Sequence, residues 1–333
     1  GTVPLDRVRL ATPAVSAVVP LPGGGVISRE ALDAAGVRRA IAAGVAWLPA
    51  TRVTAILERA AAPGSVSIEM LTGGHDATIE TEIAIVAAGL ADTVKIEALG
   101  IETGVGRPFV ATASRLGLGA TLAVGAGGPP PGELVMAVSR EGYCGVVRLE
   151  DGRVDLAAAV DRRAVAAAGS AAAVVARILA ETAGDRLAGL ILEAPLATAT
   201  FRGTPPLTRA QAVATPTGRI LRVGDAAGYV EPFTGEGMGW ALASARLLDQ
   251  ALAPVWMAAR GGAGDFAMAA ARYARLHAGH FSRHHARCRR IALAVRRPWV
   301  VGSAVRLARL APAVAARVAP LVVGTGSPRK AHG

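Results

Sequence analysis

The sequence is poor in aromatic residues, in lysine and in cysteine. Phe, Trp and Tyr together make up 4% of the 333 residues, too few for the stacking platforms of a single-strand nucleic-acid groove. Cys144 and Cys288 are its only cysteines, far apart and outside any C-x-x-C spacing. That excludes a disulfide framework and a cysteine-only metal site, and fits a reducing, cytoplasmic compartment. No run reaches the roughly 18 uncharged apolar residues of a spanning helix, and the start, Gly1-Thr2-Val3-Pro4, shows neither an initiator Met nor a signal-peptide pattern. Lysine occurs only at Lys95 and Lys330, so the net charge of +11 is carried by arginine. An arginine-over-lysine, alanine-rich balance follows from a GC-rich genome. With no RRM, KH, zinc-finger or basic-zipper signature beside it, the charge does not argue for a nucleic-acid partner. Against these shortages stand 52% hydrophobic and 18% charged residues, a composition that excludes global disorder.

Residues 1–28 read as short β pieces. Ser28 is the expected N-cap of a helix with Glu30 and Asp33 in its first turns, Leu32, Ala35, Val37 and Ile41 on its apolar side, and an end at Gly44. Strands are expected at 45–48, 53–58, 66–70 and 77–81, and the apolar run 83–87 reads as a fully buried parallel strand. Further β segments fall at 109–114, 134–139, 142–149, 154–160 and 197–202, with a hairpin turn at Glu150-Asp151-Gly152. Helices are expected over 161–181, 236–252, 265–295 and 299–323, the last two dense in arginine.

The most informative stretch is Arg219-Ile-Leu-Arg-Val-Gly-Asp-Ala-Ala-Gly-Tyr-Val-Glu-Pro-Phe-Thr-Gly-Glu-Gly-Met-Gly-Trp240. A buried strand ends at Gly224, where the missing side chain lets backbone approach a ligand. Asp225 follows, an acceptor-only carboxylate suited to ligand hydroxyls. Pro232 stiffens the next turn, and Gly235, Gly237 and Gly239 open a helix whose free N–H groups and dipole favour negative charge by about 0.3–2 kcal/mol.

Gly224-Asp225-Ala226-Ala227, Pro232 and Gly235-Glu236-Gly237-Met238 resemble the second FAD motif of the flavoprotein superfamily that includes geranylgeranyl reductases, flavin-dependent halogenases and aromatic hydroxylases. The resemblance implies FAD as cofactor, with Asp225 on the ribityl chain and residues 232–238 along the isoalloxazine. Ser28-Arg29-Glu30-Ala31-Leu32-Asp33 resembles the family's R-x-x-L-D helix, implying that Arg29 reaches the phosphate or ribityl side of FAD; the plain alternative is an exposed first-turn arginine. The run 83–89 resembles the strand that ends in Asp-Gly near the flavin, but here reads Ala88-Gly89 and lacks the carboxylate. The likeness extends over about residues 20–255.

Members of that superfamily open with a strand, a G-x-G-x-x-G turn and a helix that hold the pyrophosphate. No segment here has that arrangement: Gly23-Gly24-Gly25 follows no buried strand, and Gly117-x-Gly119 opens no helix. The expectation is an N-terminally truncated chain that starts inside the family's sequence; the alternative is a protein that gave up the module. His277, His280, His284 and His285 share one helix but no cysteine or carboxylate joins them, so a solvated basic helix outweighs a metal site. Arg306, Arg309 and Arg317 fall on one side of the Val/Leu/Ala-rich segment 299–323, interrupted by Pro312. It reads either as a membrane-surface helix or as a helical cap. Tyr143-Cys144-Gly145 resembles the aromatic strand lining the substrate cavity of the reductases, without its Trp-x-Phe-Pro continuation, so no catalytic residue is assigned. There is no Ser-His-Asp order or carboxylate pair for hydrolysis.

The expected fold is α/β, a FAD/NAD(P)-binding Rossmann-like domain of the glutathione-reductase type with an inserted antiparallel substrate sheet and a helical C-terminus. The expected division is 1–105 and 210–255 for the FAD-binding domain, 106–209 for the substrate sheet and 256–333 for the helices. The resemblance implies an FAD-dependent oxidoreductase of geranylgeranyl reductase type, acting on an apolar, isoprenoid- or polyketide-like small molecule with NADPH or another reductant. The alternatives are a flavin-dependent monooxygenase or halogenase, although the halogenase Trp-x-Trp-x-Ile-Pro is absent, and a non-catalytic remnant with weak FAD binding. Peripheral membrane contact through 299–323 is the one macromolecular association in this reading, with the chain cytoplasmic or membrane-associated.

Overall fold

The computed structural model describes residues 1–21, 23–58, 64–90, 94–98, 109–123, 127–183, 187, 196–231, 233, 235–258 and 265–311. Its centre is a seven-stranded mixed sheet in the spatial order Arg202–Pro206, Leu116–Leu122, Val154–Val160, Gly142–Arg148, Glu133–Val138, Arg7–Thr12, Val15–Pro20. Every pairing is antiparallel except that of Arg7–Ala11 with Glu133–Ala137, which is parallel. The substrate sheet expected as antiparallel therefore takes two strands from residues 7–20 and becomes mixed.

Both faces of the sheet are covered, and the strand period of two decides which side chain goes where. Val135, Ala137, Cys144 and Val146 point to one face and join Val174, Val175, Ile178 and Leu179. Those four belong to the second of two helices, α2 (Arg162–Ala168) and α3 (Ala171–Ala183). Met136, Val138 and Tyr143 alternate with the first set and pack with Val295 and Val301 on the other face. A single helix was expected over 161–181. It breaks because Gly169 takes a left-handed conformation (φ +77°) and its N–H caps Val165 O, and the two pieces meet at 100°.

A helix α1 (Arg29–Ala42) begins where Ser28 accepts a 3.2 Å hydrogen bond from the Ala31 N–H. No residue of α1 is buried, and of its apolar side only Ala31, Val37 and Ala40 are partly covered. A four-stranded sheet follows, in the order His75–Thr81, Val66–Thr72, Thr51–Glu58, Lys95–Ala98. Ala84–Val86 pairs in parallel with Ile220–Arg222. Ile220–Arg222 is buried throughout, whereas Ile85 is half exposed, so the run 83–87 is covered on one face only. The chain ends in α4 (Gly237–Ala258), α5 (Phe266–Val295) and α6 (Pro298–Leu310). Leu248, Leu252 and Val255 of α4 and Phe266, Ala270 and Tyr273 of α5 close over Leu221 and Val223.

Three further expectations shift. Residues 45–48 form no strand, because Pro49 lacks a donor and Ala50 sits at φ +52°, turning the chain away. Beyond Phe109–Val110 the expected strand turns at Ala111–Ser114, and the ladder resumes at Leu116–Leu122. There Gly117 belongs because a Cβ would lie 2.6 Å from Thr204 Oγ1 on the neighbouring strand. The strand expected at 197–202 lies at Arg202–Pro206. Among the described residues no single helix is long and apolar enough to cross a membrane.

Candidate functional site

The buried strand Ile220–Arg222 delivers the chain to Gly224 at φ +59°. The Gly224 N–H donates to Ser244 Oγ of α4 at 2.6 Å, and Ser244 Oγ donates in turn to Ala241 O. A Cβ on Gly224 would stand 3.2 Å from Ala241 Cβ. The glycine thus serves two needs, a left-handed turn and close strand–helix packing. Upstream, the buried Arg222 donates to Ala212 O, and the Tyr273 hydroxyl donates to Arg222 O at 2.8 Å, fixing the strand against α5.

Gly224–Ala227 forms one turn of 3-10 helix, and Asp225 stands on it half-buried. Burial raises its carboxyl above the usual aspartate range, and the nearby Arg29 guanidinium pulls it partly back. No described residue donates a hydrogen bond to that carboxylate. Arg29 itself is largely exposed and paired with Asp33 one turn along α1, at 3.2 Å. The helix holding Arg29 is anchored from the central sheet: the Ser28 N–H and hydroxyl both donate to the Glu150 carboxylate, at 2.9 and 2.6 Å. These bonds hold the Glu150 carboxyl below its ordinary range.

The remaining expected residues divide. Gly235 turns the chain at φ +71°, and Gly237 opens α4 beside Tyr229, whose ring would be 3.7 Å from a Cβ there. Met238 is 45% exposed and open to solvent. Glu236 faces elsewhere: both its oxygens accept from Arg287 Nη2 of α5, at 2.5 and 2.7 Å, and Cys288 Sγ lies 3.8 Å away. Its carboxylate binds α4 to α5. Pro232 lies outside the described residues. The structure puts Asp225 within electrostatic reach of Arg29 without pairing the two, and sets Gly237 beside Tyr229.

The sequence reading missed a buried polar cluster just past this turn. Glu231 is 2% exposed, and Arg115, with no exposed surface, donates to it at 3.1 Å. Arg296 approaches Glu231 at 3.9 Å and donates to Asp161 at 2.9 Å. The Arg115 guanidinium lies 5.6 Å from the Tyr143 ring centre, and Phe233 meets that ring edge-on at 5.0 Å. Burial raises the Glu231 carboxyl while Arg115 and Arg296 oppose the rise. It also pushes the Tyr143 and Tyr229 phenols well up, so both stay protonated. Among the described residues Arg115 Nη2 and the Tyr143 hydroxyl have no hydrogen-bond partner, and Arg115 Nε has only an ion-pair contact with Asp161 at 3.5 Å. Glu231 lay inside the stretch singled out from sequence, but its partner is 116 residues away and no local pattern announces it.

The four histidines of α5 pack among themselves and with Phe281 and Trp240, and no metal-holding group of His, Cys, Asp or Glu occurs among the described residues.

No protein-family model and no curated protein matches this sequence. Solved structures do. The flavin-dependent halogenase CmlS superposes with a TM-score of 0.65 at 18% identity, over 86% of this chain and 52% of its own. The chain therefore spans about half the length of that protein. The myxobacterial chondrochloren halogenase CndH gives 0.68 at 14% identity, over 99% of this chain and 83% of its own. A geranylgeranyl bacteriochlorophyll reductase-like protein from Thermoplasma acidophilum gives 0.67 at 14% identity, over 97% and 76%. The chain has the α/β fold shared by these flavin-dependent halogenases and the reductase-like protein.

Proposed function

We propose that the chain is an FAD-dependent oxidoreductase acting on an apolar organic small molecule, with the flavin held at the corner formed by Arg29, Gly224, Asp225 and residues 235–238. The observation that carries the reading is Asp225, a half-buried carboxylate with no hydrogen-bond donor among the described residues, directly after a left-handed glycine and within electrostatic reach of Arg29. Such a group fits ribityl hydroxyls, which would supply the donors it lacks. The glycine-started N-terminus of α4 fits the negative charge of a reduced ring. Among the described residues no strand, spaced-glycine turn and helix suited to a pyrophosphate accompanies them, so the fit is to the flavin end of the cofactor.

When bound, flavin supplies the hydride or oxygen chemistry. The chain's own residues bind and orient. Asp225 accepts from the cofactor and Arg29 offsets its charge. Arg115 opposes the upward shift that burial imposes on the Glu231 carboxyl and holds it in place behind the turn. Tyr143 and Phe233 pack edge to face within the buried apolar cluster that also holds Val138 and Leu207. The first reading is geranylgeranyl reductase-like, from the resemblance of the Gly224–Met238 stretch, with NADPH or another reductant as electron source. The halogenase and monooxygenase chemistry of fold neighbours is the second reading, and lack of the Trp-x-Trp-x-Ile-Pro motif weighs against halogenation.

The test is a fluorescence titration of the chain and its Asp225→Ala variant with FAD, FMN and riboflavin. The ribityl chain is common to all three, so the variant should bind each about 5- to 100-fold more weakly, the effect of about 1–3 kcal/mol for unpaired polar partners. Equal affinities in variant and parent would remove Asp225 from the site and the flavin reading with it.

A further inference from the structure

The charge of this chain is segregated. No Asp or Glu occurs after Asp265, whereas residues 266–333 hold 12 arginines and Lys330. The first 265 residues carry 23 basic against 25 acidic side chains, so the whole positive excess lies in the C-terminal fifth. Of the ten arginines within 266–311, Arg287 and Arg296 are ion-paired, with Glu236 and Asp161; among the described residues the other eight have no carboxylate partner within ion-pair distance.

The same region exposes large apolar side chains. The helix α6 buries Gly302 and Val305, and at 100° per residue its outer face carries Trp299, Ser303, Leu307 and Leu310. Trp299 is 70%, Leu307 61% and Leu310 83% exposed. Arg306 borders this stripe on its Trp299 side, Arg309 is exposed further round the same side in the last turn, and Arg290 and Leu293 of α5 and Arg297 in the connecting turn are exposed as well. The helix is thus apolar on the side that meets the sheet and again on the side that faces water. A groove of about 540 Å³ opens beside it, bounded by Trp299, Ser303, Arg306, Arg140 and Glu141.

We propose that the outer face of α6, with the adjoining end of α5, docks onto an anionic lipid surface. A tryptophan and leucines at the level of unpaired arginines is the arrangement an interfacial helix needs: apolar side chains enter the acyl boundary while the guanidinium groups meet lipid phosphates. A nucleic-acid backbone would use the arginines but leave Trp299, Leu307 and Leu310 without a role. A second copy docked face to face would oppose arginine to arginine. The docking does not depend on the flavin reading, since none of its residues belongs to the Asp225 corner.

The experiment is flotation of the full chain with vesicles of phosphatidylcholine alone or with 30 mol% phosphatidylglycerol, at low and high salt. Binding should be at least about tenfold stronger to the anionic vesicles and should fall as salt rises. Arg306→Glu/Arg309→Glu and, separately, Trp299→Ser/Leu310→Ser should each weaken it about tenfold or more. Because all four side chains are exposed, circular dichroism melts should match the parent. Absence of flotation, equal binding to neutral vesicles, or unchanged binding by either double variant would overturn the proposal. So would tighter binding to double-stranded DNA than to the anionic vesicles, unaffected by Trp299→Ser/Leu310→Ser.

Discussion

Gly224 and Arg115 show how much single residues decide here. Alanine at 224 would have to hold φ near +59° and place a Cβ 3.2 Å from Ala241. Gly224→Ala should therefore lower unfolding free energy by about 1–3 kcal/mol in a denaturant titration; an unchanged midpoint would mean that strand and helix can separate at no cost. Arg115 poses the opposite problem, a charge whose removal strands another. Arg115→Met leaves the buried Glu231 with only the more distant Arg296, and should cost about 3–5 kcal/mol. Replacing both ends, Arg115→Met with Glu231→Leu, should recover most of that loss, because two apolar groups need no partner. The glycine was legible in the sequence, since a strand, Gly-Asp and a glycine-started helix lie within one short segment. The pair was not, because Arg115 stands at the head of a separate strand and only the folded chain places it beside Glu231.

Among elements, α5 carries a pH dependence. His277 packs against Tyr273 and Phe281, and burial, then His285 and His280, push its pKa down to about 4. Burial lowers His280 and His285 in the same direction. The unfolded chain takes up these protons near pH 6.5, while the folded chain resists His277 protonation until about pH 4. The stability from the neutral rings is therefore fully present above pH 6.5 and is lost as pH falls toward 4. For the partly exposed His277 this loss is on the order of 1–2 kcal/mol after allowance for solvent screening. Melting temperature followed from pH 7.5 to 4.5 should fall more steeply in the parent than in His277→Phe, which keeps a ring in that contact; parallel curves would assign the pH dependence elsewhere. Helices were the most readable elements: Ser28 marks the start of α1 and Asp265, accepting from the Met268 N–H, that of α5. Strands were less so. Leu116–Leu122 hid behind Gly117 and Gly119, the first of them small to make room for Thr204 on the neighbouring strand, and the apolar Val45–Leu48 found no ladder to join.

At the scale of the whole molecule, the layers follow from alternation along each strand, but the strand order does not. Nothing local in Arg7–Thr12 says that it lies beside Glu133–Val138. The match appears only when Arg7 and Arg9 converge on the buried Glu133, at 3.1 and 2.8 Å. Glu133→Gln should accordingly loosen that junction more than the sheet around it. In native-state hydrogen exchange, amides of 7–12 should lose protection while those of 142–160 keep theirs; uniform loss would show one cooperative sheet.

That junction also has a consequence in time. Arg7 and Glu133 are 126 residues apart, and translation proceeds at roughly 5–20 residues per second. The hairpin of residues 7–20 therefore leaves the ribosome roughly 6–25 seconds before the strand it must join. For that interval Val8 and Val19, buried in the finished sheet, face water along an unpaired edge open to association with other nascent chains. Slowing translation between residues 20 and 133 should lower the soluble yield, and a holdase chaperone supplied during synthesis should restore it.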